Sequence, residues 1–87
     1  MQKQLLLYTT EGCHLCEQAR ALVAPLLSAE HVQLLAVEIS DSDELVERYG
    51  IRIPVLRFSD APEELGWPFD DQAVQAFLAT NRNCGEN

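Results

Sequence analysis

The stretch Thr9-Thr10-Glu11-Gly12-Cys13-His14-Leu15-Cys16 decides the reading of this 87-residue chain. It sets two cysteines three positions apart where an apolar strand, Leu5-Leu6-Leu7-Tyr8, runs into a helix. The helix is announced by Leu15, Ala19, Leu22, Val23 and Leu26, apolar residues that recur every three or four positions. Cys13 therefore falls at the helix N-terminus. Unpaired backbone N–H groups and the positive end of the helix dipole stabilise a thiolate there, and can bring a cysteine pKa from about 8.5 into a range of roughly 3.5–7.5. Cys13 is the expected nucleophile. Cys16, one turn further in and more shielded, is placed to attack a mixed disulfide on Cys13 and is the expected resolving cysteine.

Length and charge bound the setting. Residues 1–87 make one domain, which should bury only about 60–65% of its unfolded surface and leaves no room for a second catalytic module. Any substrate must dock on the outside. Fourteen acidic residues against six Lys and Arg give a net charge of −8. That argues against nucleic acid and anionic membrane as partners, since both need basic surface to release counterions. Met1-Gln2-Lys3-Gln4 resembles the start of a signal peptide, but the apolar run behind it ends at Tyr8 and no small-residue cleavage site follows, so Leu5–Tyr8 reads as the first strand. No apolar stretch reaches the length of a membrane span. Three cysteines do not suggest a secreted disulfide scaffold; beside a β-α-β pattern, Cys-x-x-Cys is better read as catalytic or metal-binding in a reducing compartment. A cytoplasmic location is expected.

The rest of the chain shows no internal repeat, low-complexity tract or linker. Val32 to Ile39 is almost wholly apolar and β-branched, which suits a strand covered on both faces in a partly parallel sheet. Ser40 and Asp43 are spaced as a capping box before an apolar stripe at Leu45, Val46 and Tyr49, and Gly50 closes that helix. Ile53 to Phe58 reads as a third strand with Pro54 near its start, where a sheet tolerates proline. Ser59-Asp60-Ala61-Pro62 is turn chemistry, so Glu63 to Gly66 should return antiparallel. Asp70 caps a last helix, with Phe69 and Val74 as a hydrophobic staple and Ala73, Val74, Phe77 and Leu78 facing inward. Pro25, inside the first helix, costs about 3 kcal/mol through a lost hydrogen bond and a clash, and predicts a kink or an early end.

With the Cys-x-x-Cys after the first strand, Ile53-Pro54 opening the third, Tyr49-Gly50 ending a helix shortly before it, and the order β-α-β-α-β-β-α, the chain resembles the glutaredoxin-like family of the thioredoxin-fold superfamily. The resemblance spans roughly residues 3 to 80 and implies an α/β fold: a four-stranded mixed sheet flanked by helices. It implies that Pro54 is cis and packs beside the dithiol, leaving the backbone of Ile53 free to pair with an extended substrate. Strand addition at such an edge is a common way to bind a peptide. By resemblance, Ile53 and Pro54 are candidate substrate-docking residues.

The chain also departs from that family. Glutaredoxins that use glutathione carry a basic residue three positions before the nucleophile and a Gly-Gly-x-x-Asp-like segment before the last helix. Thr10 and Leu65-Gly66-Trp67-Pro68-Phe69-Asp70 stand there in this chain. Arg52, before Ile53, is the candidate replacement cation for a substrate carboxylate. His14, between the cysteines, is a candidate for tuning the Cys13 thiolate when protonated, the alternative being a side chain in water. Glu11 and Glu17 flank the dithiol and oppose the thiolate, which favours a mildly reducing protein. Trp67 is expected to pack on the sheet, His31 to lie at the surface, and Cys84 to be a free thiol in a flexible tail, residues 81–87.

The function expected is thiol–disulfide exchange on a disulfide-bearing protein or a glutathione mixed disulfide. No cofactor or metal is expected to be bound, glutathione or a thioredoxin-type reductase would restore the dithiol, and the chain should act as a monomer. Two alternatives stay open: a dimer that holds zinc or an iron–sulfur cluster through the Cys-x-x-Cys, and a redox-inert interaction module. The first needs dimerisation because Cys13 and Cys16 supply two ligands where structural zinc takes four.

Overall fold

In the computed structural model, residues 3–27 and 32–84 are described, with side chains through Thr80. The elements are β1 (Lys3–Thr9), α1 (His14–Leu27), β2 (Val32–Glu38), α2 (Asp43–Tyr49), β3 (Val55–Phe58), β4 (Glu64–Gly66) and α3 (Asp71–Cys84). They form one four-stranded sheet in the order β2-β1-β3-β4. The β1–β2 pair is parallel, with α1 as the crossover such a pair requires, and the β1–β3 and β3–β4 pairs are antiparallel. This is the mixed sheet that the sequence predicts.

Strand alternation divides the core in two. Leu5, Leu7, Leu56 and Phe58 lie on one face, with Ala19, Val23 and Leu27 of α1 and Val74 and Leu78 of α3. Tyr8 and Val55 lie on the other, with Ile39, Tyr49 and the half-buried Leu45. Each Leu, Val or Phe fully buried this way contributes about 1.5–3 kcal/mol. The sheet thus holds the C-terminal end of β1, where the dithiol begins, between α1 and α2. Asp70 Oδ1 accepts the Ala73 N–H at 2.8 Å, and Phe69 and Val74 are buried in one cluster, as the staple predicts.

Several local expectations are corrected. β2 is an edge strand and none of its residues is fully buried; the run ends at Glu38, and the buried Ile39 opens a 3₁₀ turn, Ile39–Asp41. That turn uses Ser40, so Ser42 caps α2 instead, its Oγ accepting the Leu45 N–H at 3.4 Å. Leu15 is 45% exposed because the buried stripe of α1 runs through Cys16, Ala19, Val23 and Leu27. Helix α1 continues through Pro25 to Leu27: the proline sits in the last turn, where only one bond, to the Ala21 carbonyl, is forfeited.

Gly50 closes α2 in right-handed geometry, φ −52° and ψ −38°, and not in the left-handed region. Its lack of a side chain answers a different need, since a Cβ there would meet the Val46 carbonyl oxygen at 2.5 Å. β3 begins at Val55, so Ile53 and Pro54 form the loop that enters it. α3 runs on to Cys84, through the first part of the stretch expected as a tail. His31, Met1-Gln2, residues 85–87 and the side chain of Cys84 lie outside what is described.

Candidate active site

The dithiol loop is built from its backbone upward. Gly12 has φ +80°, a conformation open to glycine at little cost, and it turns the chain out of β1 toward α1. Cys13 N–H then donates to the Thr10 carbonyl at 3.3 Å, and the Cys13 carbonyl accepts the Glu17 N–H at 3.2 Å, the first bond of the helix. Cys13 is thus the N-cap of α1. Its Sγ accepts the Cys16 N–H at 3.1 Å, where a serine or aspartate oxygen usually serves as cap. Negative charge on this sulfur would meet a backbone donor and the positive end of the helix.

Cys13 and Cys16 are joined in a disulfide, with their Cα atoms 5.2 Å apart. The two sulfurs are not equivalent in access. Cys16 is 3% exposed and packs inward, whereas Cys13 is half-buried. An incoming thiolate, or an incoming disulfide once the pair is reduced, reaches Cys13 first. An open cleft of about 210 Å³ adjoins the pair, lined by the Thr9–Gly12 loop, both cysteines and Ala36 of β2, with Glu11, Glu17 and Arg20 supplying charge.

The Ile53–Pro54 bond is cis and Pro54 is buried. The backbone around it is less free than the resemblance implied. Ile53 N–H donates to the Tyr49 carbonyl at 3.1 Å, and the Pro54 carbonyl accepts the Trp67 N–H at 3.1 Å. The Ile53 carbonyl accepts no backbone N–H among the described residues. Trp67–Pro68 is a second cis bond that the sequence reading did not anticipate. Trp67 itself is half-buried against the α1–α3 core and edge-to-face with Phe69, centroids 5.1 Å apart, which is the packing expected of it.

Arg52 is tied to its neighbours on one side, while its side chain stays 45% exposed. Its Nη2 pairs with Glu64 Oε1, and its guanidinium lies 5.3 Å from the Tyr49 ring centroid. Glu64 is also bonded by the Tyr49 hydroxyl at 2.6 Å. The Tyr49 bond, with the Arg52 pair, holds the Glu64 carboxyl below the usual carboxylate range. Burial, and then donation to Glu64, pushes the Tyr49 phenol up to about 12. Tyr8 stacks on Tyr49 with centroids 4.1 Å apart, and its hydroxyl accepts from Arg57 Nε at 3.2 Å, which raises the Arg57 pKa. Sequence reasoning missed this network. Its one signal was an arginine, Arg57, among the apolar residues of β3, and a tyrosine, Tyr8, closing the apolar run of β1.

Glu38 was missed as well. From the end of β2 its Oε1 accepts the Glu11 N–H at 3.0 Å and its Oε2 the Ser40 N–H at 3.1 Å. The Thr10 hydroxyl also donates to it, and these bonds hold its carboxyl below the usual range, Thr10 contributing most. His14 is exposed at the first position of α1. Among the described residues no three His, Cys, Asp or Glu side chains gather to hold a metal, and no helix is long and apolar enough to cross a membrane.

A Cys-x-x-Cys disulfide at the head of the first helix of this sheet, with a cis-proline entering β3, defines a redox-type thioredoxin-fold protein. The chain belongs to the glutaredoxin-like domain (DUF836) family, whose model matches residues 4–79. Among solved structures it is similar to protein XcR50 of X. campestris, with 41% identity and a TM-score of 0.71, over 87% of this chain and 96% of that one. It is also similar to Ne2328 of Nitrosomonas europaea, with 30% identity and a TM-score of 0.76, over 90% and 93%. A mutant thioredoxin of Halobacterium salinarum, 18% identical with a TM-score of 0.70 over 91% and 74%, shares the fold. Among curated proteins no significant match is found.

Proposed function

We propose that the protein is a thiol–disulfide oxidoreductase that works through Cys13 and Cys16. The observation that carries this reading is the asymmetry of the pair: the accessible Cys13 sulfur caps α1 and accepts a helix N–H, while Cys16 is buried behind it. In the reduced protein the Cys13 thiolate attacks one sulfur of a substrate disulfide. A Cys13–substrate bond forms, and the other substrate sulfur leaves as a thiolate that takes a proton from water. Cys16 then loses its proton and attacks the Cys13 sulfur. The second substrate thiol is released, two electrons have passed to the substrate, and the Cys13–Cys16 disulfide remains. Two glutathione thiols, or a thioredoxin-type reductase, return the electrons, and the protein works as a monomer in the cytoplasm.

A protein disulfide is the better substrate in this reading. Thr10, which donates to Glu38, stands where glutathione-using relatives carry a cation, and Arg52 already spends one donor on Glu64. An extended chain has the Ile53 carbonyl as an acceptor beside Pro54, and the cleft at Cys13 for the residues next to its cystine. Turnover of a glutathione mixed disulfide by wild type, Cys13→Ser and Cys16→Ser, each in a Cys84→Ser background, tests this. No turnover together with a Cys13–Cys16 disulfide that forms and reduces reversibly supports a protein substrate. Turnover lost in Cys13→Ser and kept in Cys16→Ser shows a monothiol glutathione reaction. A Cys13–Cys16 pair that cannot be cycled at all overturns the reading.

A further inference from the structure

The loop between β1 and α1 is only four residues long, Thr10 to Cys13, and one of them, Gly12, is at positive φ with nothing within 4 Å of where a Cβ would stand. Its one internal bond, from the Cys13 N–H to the Thr10 carbonyl, works against the conformational freedom that glycine adds. From outside the loop, the carboxylate of Glu38, 27 residues from Glu11 at the point where β2 leaves the sheet, bonds to it.

We propose that Glu38 is the positioning residue of the dithiol: its carboxylate pins Thr10 and Glu11 to the end of β2 and so sets Cys13 at the head of α1, where its sulfur meets the Cys16 N–H. The two oxygens divide the work. Oε2 bonds the Ser40 N–H and fastens Glu38 to its own 3₁₀ turn, while Oε1 bonds the Glu11 N–H and fastens the dithiol loop. The Thr10 hydroxyl adds a third donor, and the Thr10 carbonyl receives the Cys13 N–H, so the chain of contacts from Glu38 to the reactive residue is short and continuous. A residue that only capped the 3₁₀ turn would need one oxygen.

A carboxylate accepting charge-assisted bonds from backbone N–H groups is a stiffer anchor than a neutral acceptor. Its negative charge acts the other way, disfavouring a thiolate nearby. The two effects are separable by substitution. Glu38→Gln removes the charge and keeps an oxygen for the Glu11 N–H; Glu38→Ala removes both.

The inference rests on the dithiol reading of Cys13 and Cys16, and its test uses the whole protein in a Cys84→Ser background. Two readouts are taken: the rate at which reduced Cys13 is alkylated by iodoacetamide at neutral pH, and the Cys13–Cys16 disulfide equilibrium against a glutathione redox buffer. Glu38→Ala should slow alkylation about threefold to tenfold, the range a displaced helix-terminus interaction commands. Glu38→Gln should recover most of the wild-type rate. Thr10→Val, which keeps the backbone and removes the hydroxyl that donates to Glu38, should slow alkylation by less than Glu38→Ala; it serves alone if Glu38→Ala does not fold. An unchanged rate and equilibrium in folded Glu38→Ala and in Thr10→Val overturn the proposal, as does faster alkylation in both Glu38 variants, which would mean that only the charge matters. If wild type itself forms no reversible Cys13–Cys16 disulfide, the oxidoreductase reading has failed and not the role of Glu38.

Discussion

The Tyr49 hydroxyl, at the end of α2, donates to the Glu64 carboxylate, at the start of β4, across 2.6 Å. Tyr49 is buried, its ring stacks on Tyr8, and Arg52 closes over the same carboxylate from the loop before Pro54. The helix that precedes the cis-proline loop is thereby tied to the strand that flanks β3. The proline loop is held from both sides.

Removing that hydroxyl leaves the stack in place and deprives Glu64 of a donor in a half-buried position. Tyr49→Phe should lower unfolding stability by about 1.5–3 kcal/mol, the usual loss for a hydrogen bond to a charged group. A urea titration reads it as a lower midpoint with an unchanged slope. The Cys13–Cys16 disulfide equilibrium should not move, because the network touches neither cysteine.

The same pair predicts the pH limits of stability. Glu64 has a folded pKa below its unfolded value, so its contribution is present above the ordinary carboxylate range and is lost as pH falls through the folded value. Glu64→Gln should flatten the acid limb of a stability curve. Tyr49 has a folded pKa of about 12 against an ordinary value of 10.0, so its contribution is complete below 10.0 and is lost as pH rises toward about 12. Tyr49→Phe should remove that alkaline loss. Thermal unfolding across both limbs decides the matter.

Gly50→Ala reverses the usual expectation for an ordinary helical glycine, where alanine gains about 1 kcal/mol. At this position the new Cβ meets the Val46 carbonyl at 2.5 Å, and the carbonyl is backbone that already accepts the Gly50 N–H. The substitution should cost about 1–3 kcal/mol, as overpacking does. A higher urea midpoint would show that the α2 terminus relaxes freely.

Glu11 and Glu17 line the cleft with Cys13, and their charge opposes a thiolate there. Glu17→Gln should favour the dithiol over the disulfide, making the protein a stronger oxidant, by about twofold to threefold in a glutathione redox buffer at low ionic strength. Added salt should shrink the difference, since exposed charges are screened over about 10 Å at 0.1 M.

The element order, the dithiol at the head of α1, the caps at Asp70 and the staple of Phe69 with Val74 were legible because each depends on residues within a few positions of one another. Helix phase was legible only in part. The apolar residues of α1 permit a stripe through Leu15 or one through Cys16, and contact with Leu7, Leu56 and α3 selects the second. The edge position of β2 was hidden for a related reason: a run of apolar residues records that a strand is apolar, and says nothing of how many neighbours it has.

The sequence by itself determined the two cysteines and their places, for spacing and helix direction set Cys13 at the terminus and Cys16 within. Only the tertiary structure decided what surrounds them. Glu38 reaches Thr10 and Glu11 across the crossover, Glu64 takes Arg52 and Tyr49, and Tyr49 takes the Ile53 N–H. Every one of these is a polar side chain or backbone group whose partner lies outside its own element. Local periodicity carries no record of such a partner, because a carboxylate on a strand end reads the same whether it faces water or the backbone of a distant loop.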